Sequence, residues 1–135
     1  MGLRHDLEEI FDFDIVDEFL DHYTTMIDTM EPLIIALSQK EFYEKNVNEL
    51  FRISHNIKSA SGYLNIEILN RFSTMMENTL EDLRAKEGPA SEEMINWLLL
   101  CRDQLDKWKQ NLREDDEKLD KINFAIMNLP QTENR

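Results

Sequence analysis

Apolar residues recur along this chain at helical spacing, in four stretches separated by short polar or turn-forming breaks. Ile15, Phe19, Tyr23, Met26, Met30, Leu33 and Leu37 follow one another at three- and four-residue intervals, the period of one helix face. Asp14 stands before them as an N-cap, with Asp17 three residues on in a capping-box-like arrangement. Pro32 removes a backbone donor inside this stretch, but the stripe keeps its phase on both sides, so one kinked helix is predicted rather than two. Val47, Leu50, Ser54, Ile57, Ser61 and Leu64 mark a second helix, from about Glu44 to Tyr63. Leu69, Phe72, Met76, Thr79, Leu80 and Leu83 mark a third, about Ile66 to Ala85, with Asn70, Thr74, Glu77 and Glu81 on its other side. Gly88-Pro89 signals a turn, and Ser91 then caps a fourth helix that opens with Glu92 and Glu93. Met94, Trp97, Leu98, Cys101, Leu105, Trp108 and Leu112 line that helix to about Arg113.

Four amphipathic helices joined by short loops predict an all-α fold, an antiparallel four-helix bundle over residues 14–113. Beyond it, Leu119, Ile122, Ile126 and Leu129 share a face before Pro130, which predicts an additional C-terminal helix over residues 114–130, capping the bundle or binding a partner. Residues 1–13 read as a flexible acidic N-terminus and 131–135 as a disordered tail. With 135 residues, 41% of them hydrophobic, there is material for one core, and three Gly and three Pro are too few for the turns of an all-β protein.

The formal charge is -13, and it is concentrated at the start: ten acidic residues between Asp6 and Glu31 face Arg4 alone. Such a surface repels nucleic-acid phosphates and anionic lipid, so neither a nucleic-acid nor a membrane role is expected, and basic docking faces are favoured as partners. The single Cys101 cannot form an internal disulfide, and its place in the tryptophan stripe marks it as a buried thiol. The first residues do not read as a secretory signal, no apolar run could span a bilayer, and a cytoplasmic, monomeric protein is expected.

One histidine stands apart from the buried stripes. His55 lies on a second stripe of the second helix with Asn48, Arg52, Ser59 and Gly62, well round toward solvent. One and two turns after it come a serine and a glycine, which leave room for another molecule, and Lys58 is its neighbour three residues on. Alone, a mid-helix histidine is most often an ordinary surface or core residue. An exposed imidazole flanked by clearance and a fixed positive charge suits receiving and passing on a phosphoryl group. His5, near the N-terminus, and His22, at the edge of the first helix's buried face, lack such surroundings. No Glu-x-x-His or His-x-x-x-His spacing occurs, so no metal site is expected, and no glycine-rich nucleotide loop or oxyanion hole points to a kinase or hydrolase.

The run HNIKSASGYLN, His55 to Asn65, resembles the signature of histidine phosphotransfer (HPt) domains. His55, Ile57, Lys58, Ser61, Leu64 and Asn65 fill the pattern of histidine, aliphatic, lysine, small residues, and an apolar residue followed by glycine or asparagine. It departs in carrying Ser59 where the family usually has glycine, and Asn65 where glycine is frequent. Met76-Glu77-Asn78 is similar to the corresponding segment of the phosphoacceptor domains of chemotaxis histidine kinases, where a glutamate hydrogen-bonds the ring. The resemblance implies a phosphocarrier without kinase activity, exchanging phosphate between His55 and the aspartate of response-regulator receiver domains, and served by a histidine kinase or hybrid kinase. It implies that Glu77 orients the imidazole and that Lys58 draws the phosphoryl oxygens. Asn48, Arg52, Ser59, Gly62, Tyr63, Asn70 and Thr74 would meet the partner. No cofactor belongs to the chain on this reading, since magnesium comes with the receiver. The alternative is a non-phosphorylated helical adaptor that keeps the same face only for docking.

Overall fold

The computed structural model describes residues 2–130, and within them all regular structure is helical. Five α-helices occur: α1 (Leu3–Ile10), α2 (Phe13–Ile35), α3 (Lys40–Tyr63), α4 (Glu67–Arg84) and α5 (Glu92–Arg113). Helices α2 to α5 form the expected bundle, with α3 packed most extensively on α4, and α2 on α5 and α3. The tail expected to be disordered, residues 131–135, lies outside the described residues.

The buried stripes follow the helical period, with one adjustment. On α2 the core takes Phe19, Tyr23, Met26 and Met30 of the expected stripe and adds Val16, Leu20, Ile27 and Ile34, so the buried face is wider than expected and shifts at its ends. Ile15 is exposed and Leu33 only half-buried, because the neighbouring Val16 and Ile34 point inward instead. The helix also begins one residue before Asp14, and its N-cap, Asp12, makes no side-chain cap bond. Pro32 lies inside α2 and does not end it; the chain continues to Ile35 and then tightens into a 3-10 turn, Ala36–Ser38. By contrast Ser91 caps α5 as expected, its hydroxyl accepting from the Met94 amide at 3.1 Å. Gly88, in the α4–α5 loop, has φ +72° and lies so close to the Tyr43 ring that a Cβ would overlap it.

Both ends of the chain depart from expectation. The N-terminus is a helix, because Leu3 and Leu7 pack on the core and Arg4 bridges Glu8 at 2.8 Å and Asp17 at 3.3 Å. It is tied to the end of α5 by bonds from the Leu3 amide to the Asp116 carbonyl and from the His5 amide to the Asp115 carboxylate. The predicted C-terminal helix over 114–130 is replaced by an irregular strap with one 3-10 turn, Phe124–Met127. Asp115 turns the chain back with φ +57°. The strap then runs along α5, where side chains take the place of a helical ladder. Trp97 Nε1 donates to the Ile126 carbonyl and Trp108 Nε1 to the Asp120 carbonyl, both at 2.8 Å. The Asp120 amide donates to Asn111 Oδ1 and the Asn123 amide to Gln104 Oε1. Ile126 alone of the four predicted apolar positions is fully buried.

Candidate functional site

The site is carried by α3 and α4 and depends on how sharply the chain turns between them. Asn65 adopts φ +60°, and its amide bonds the Gly62 carbonyl while the Ile66 amide bonds the Ser61 carbonyl. These are the paired bonds of a Schellman C-cap, with asparagine in the left-handed position that glycine usually takes. The chain therefore reverses within three residues, and α4 returns directly along α3.

That return places Glu77 against His55. Nδ1 of the imidazole is 2.5 Å from Glu77 Oε2, and Lys58 Nζ donates to the other carboxylate oxygen at 3.0 Å. Burial differs sharply within the triad: the His55 side chain is 55% exposed and Glu77 only 12%. The imidazole thus rests on a carboxylate floor and opens to solvent. Phe51, one turn earlier on α3, lies nearly parallel to the ring, 7° between planes and 6.5 Å between centroids. The Arg84 guanidinium lies over the Phe51 ring, 4.5 Å from its centroid.

The charge state of Glu77 decides the tautomer of His55. Burial pushes its carboxyl up, but the hydrogen bonds from His55 and Lys58 and the lysine charge outweigh that and hold it below its ordinary value. At neutral pH it is a carboxylate and can only accept. Nδ1 must then carry the proton, and in the neutral ring Nε2 keeps its lone pair. Among the described residues Nε2 has no protein partner. A ring nitrogen that keeps its lone pair free while a carboxylate holds the proton on the other side can act as a nucleophile.

The seven residues expected to meet a partner divide into two groups. Asn48, Arg52, Ser59, Gly62 and Tyr63 are exposed along α3, and Arg52 pairs with Glu49 on the same helix. Asn70 and Thr74 are half-buried and already engaged: Asn70 Nδ2 donates to the Lys58 carbonyl at 2.8 Å, and Thr74 Oγ1 to the Asn70 carbonyl at 2.9 Å. An apolar cleft between α2 and α3, lined by Phe19, His22, Met26, Ala60 and Tyr63 among others, opens beside the exposed group. His22 is exposed there, and His5 sits 3.8 Å from Glu9, both remote from the triad in sequence and partners. Cys101 is buried, and burial pushes its thiol pKa far up, which makes it inert. Phe51 and Arg84 were not legible as site residues; the only sequence signal is the four-residue step from Phe51 to His55. Among the described residues no group of three or more His, Cys, Asp or Glu side chains is placed to hold a metal ion, and no helix is long and apolar enough to cross a membrane.

Comparison with known proteins agrees with this geometry. The Hpt domain model matches residues 14–119, which is most of the chain, and the chain belongs to that family. It is a histidine phosphotransfer domain of the two-component signalling type. It is similar to the chemotaxis protein CheA of Klebsiella aerogenes, 29% identical over 115 residues, which cover 82% of this chain and 18% of that protein. It is also similar to the chemotaxis protein CheA of Salmonella typhimurium, 28% identical over 120 residues, 86% of this chain and again 18% of the relative. The chain thus spans less than a fifth of the length of these curated relatives. No solved structure matches.

Proposed function

We propose that this domain is a phosphocarrier in which His55 Nε2 takes a phosphoryl group from a histidine kinase or hybrid kinase, and exchanges it with the aspartate of a receiver domain. The observation that carries the reading is the 2.5 Å contact between Nδ1 and Glu77, which leaves Nε2 as the free nucleophilic nitrogen. In exchange with a receiver, the Nε2 lone pair attacks phosphorus, the P–O bond to the aspartate breaks, and its electrons return to the carboxylate. The Nδ1 proton stays on the ring, where Glu77 offsets the positive charge that develops. Lys58, already within reach of the same carboxylate, is the cation available to the phosphoryl oxygens. Any magnesium would enter with the receiver, and ATP chemistry would belong to the kinase. Ser59, Gly62 and Tyr63 supply the exposed approach on α3, and a monomer acting in the cytoplasm suffices for this cycle.

Mixing the domain with a phosphorylated receiver tests the reading. Acid-labile, base-stable phosphate mapped to His55 is the expected result. Docking without phosphate on His55 would identify a non-phosphorylated adaptor instead.

A further inference from the structure

Gly62 and Asn70 face each other across the α3–α4 interface in a way that partner clearance does not explain. Asn70 is half-buried on α4, and its side-chain amide reaches across to the Lys58 carbonyl, 2.8 Å away. That carbonyl also accepts from Ser61 Oγ at 3.1 Å, so it is held from two sides one turn beyond His55. A Cβ built on Gly62 would stand 3.1 Å from Asn70 Nδ2, tighter than ordinary contact, so the amide that bonds Lys58 would have to shift by a few tenths of an ångström. Asn70 and Glu77 lie two turns apart on one side of α4, while Lys58 and His55 lie one turn apart on α3. The amide bond and the carboxylate pair are therefore two rungs between the same two helices.

We infer that Gly62 and Asn70 are positioning residues: Gly62 leaves the space in which Asn70 bonds the Lys58 carbonyl, and this rung sets the register that brings Glu77 to His55 Nδ1. The lack of a side chain at Gly62 then serves the domain's own geometry as well as any approaching partner. The inference rests on His55 being the acceptor for its kinetic readout, but not for its spectroscopic one.

Gly62→Ala, Asn70→Ala and the double variant, prepared in the full chain, separate the possibilities. Alanine favours helix over glycine, so Gly62→Ala keeps α3 even where Asn70→Ala lowers stability. Ring nitrogen-15 shifts of His55 report the Nδ1-protonated fraction, and phosphoramidate reports phosphorylation without protein docking. In that reaction the N–P bond to ammonia breaks as the Nε2–P bond forms. Each single variant is expected to lower the Nδ1-protonated fraction and to slow labelling by phosphoramidate several-fold, and the double variant to be no worse than Asn70→Ala. Wild-type ring shifts in Gly62→Ala, or additive losses in the double variant, would overturn the inference. So would normal phosphoramidate labelling with loss confined to the receiver as donor, which would return Gly62 to docking alone. Failure of the wild-type chain to label at His55 would instead count against the phosphocarrier reading, and the ring shifts would still decide the positioning role.

Discussion

Two polar networks tie this bundle together, and they are built to opposite ends. On α5, Trp97, Gln104, Trp108 and Asn111 are all buried, and their side chains bond backbone groups of the strap. On α3 and α4, His55, Lys58 and Glu77 also share close hydrogen bonds, but the network stops at a ring that is 55% exposed, with one nitrogen unspent. The first arrangement uses side chains to replace a missing helical ladder, and it ends in satisfied atoms. The second sets a mostly buried carboxylate behind an exposed ring and ends in an available lone pair. What separates a structural network from a reactive one here is whether its last member is satisfied, and composition alone would not tell them apart.

Substitutions can break each side of that contrast without the other. The largest effect is expected from His55→Gln, which should abolish phosphate acceptance while leaving helical circular dichroism and thermal unfolding unchanged, because the exposed ring makes little core contact. Retained labelling would move the acceptor elsewhere. Trp108→Ala should do the reverse. Trp108 is fully buried, meets Phe72 edge-on at 5.0 Å and holds the strap, so about 3–5 kcal/mol of stability should be lost in urea unfolding. Phosphate acceptance per folded molecule should stay near wild type.

Glu77→Ala falls between them. Loss of a charge-assisted bond is worth on the order of 1.5–3 kcal/mol, so phosphorylation of His55 should slow by up to about a hundredfold if all of it is expressed in the transition state. Single-turnover rates measure this, and an unchanged rate would remove Glu77 from the mechanism. The same variant carries a pH signature. Since the folded carboxyl lies below its ordinary 4.5, its stabilising effect is present above about pH 4.5 and is lost as pH falls through the lower folded value. The wild-type advantage in stability should therefore shrink in acid. Ser59→Leu should have the smallest effect on the fold, within about 0.5 kcal/mol, yet weaken binding in a titration with a receiver domain. Equal affinities would take this part of α3 out of the interface.

The bundle could be read from the sequence because it rests on short-range periodicity, and the triad because His55 and Glu77 stand in two short runs that resemble the family's. The spacing of Met94 to Leu112, the cap at Ser91 and the HNIKSASGYLN run are all local signals, and the α3–α4 turn brings Glu77 to His55 by simple antiparallel return. The misreadings arise where long-range bonds decide. Leu119, Ile122, Ile126 and Leu129 fit a helix, but the indole and amide groups of α5 take the strap's backbone first, and nothing near residue 120 announces them. The acidic start concealed Leu3 and Leu7, whose four-residue step was present but whose packing surface lies on elements far along the chain. Two positions of the α2 face were misread because Ile15 and Val16, like Leu33 and Ile34, are apolar neighbours, and only the partners choose between them.

The three-residue turn at Asn65 has a consequence for how the domain can be cut and joined. His55, Lys58, Glu77 and the stacked Phe51 all lie within residues 51–84, on one continuous helical hairpin. Contacts between near neighbours in sequence form early and cost little loop-closure entropy. A circular permutant of this domain opened in the Gly88 loop would sever no bond within that hairpin. The triad is in this sense a cassette, transferable to another bundle that offers the same two helices a core to lie on.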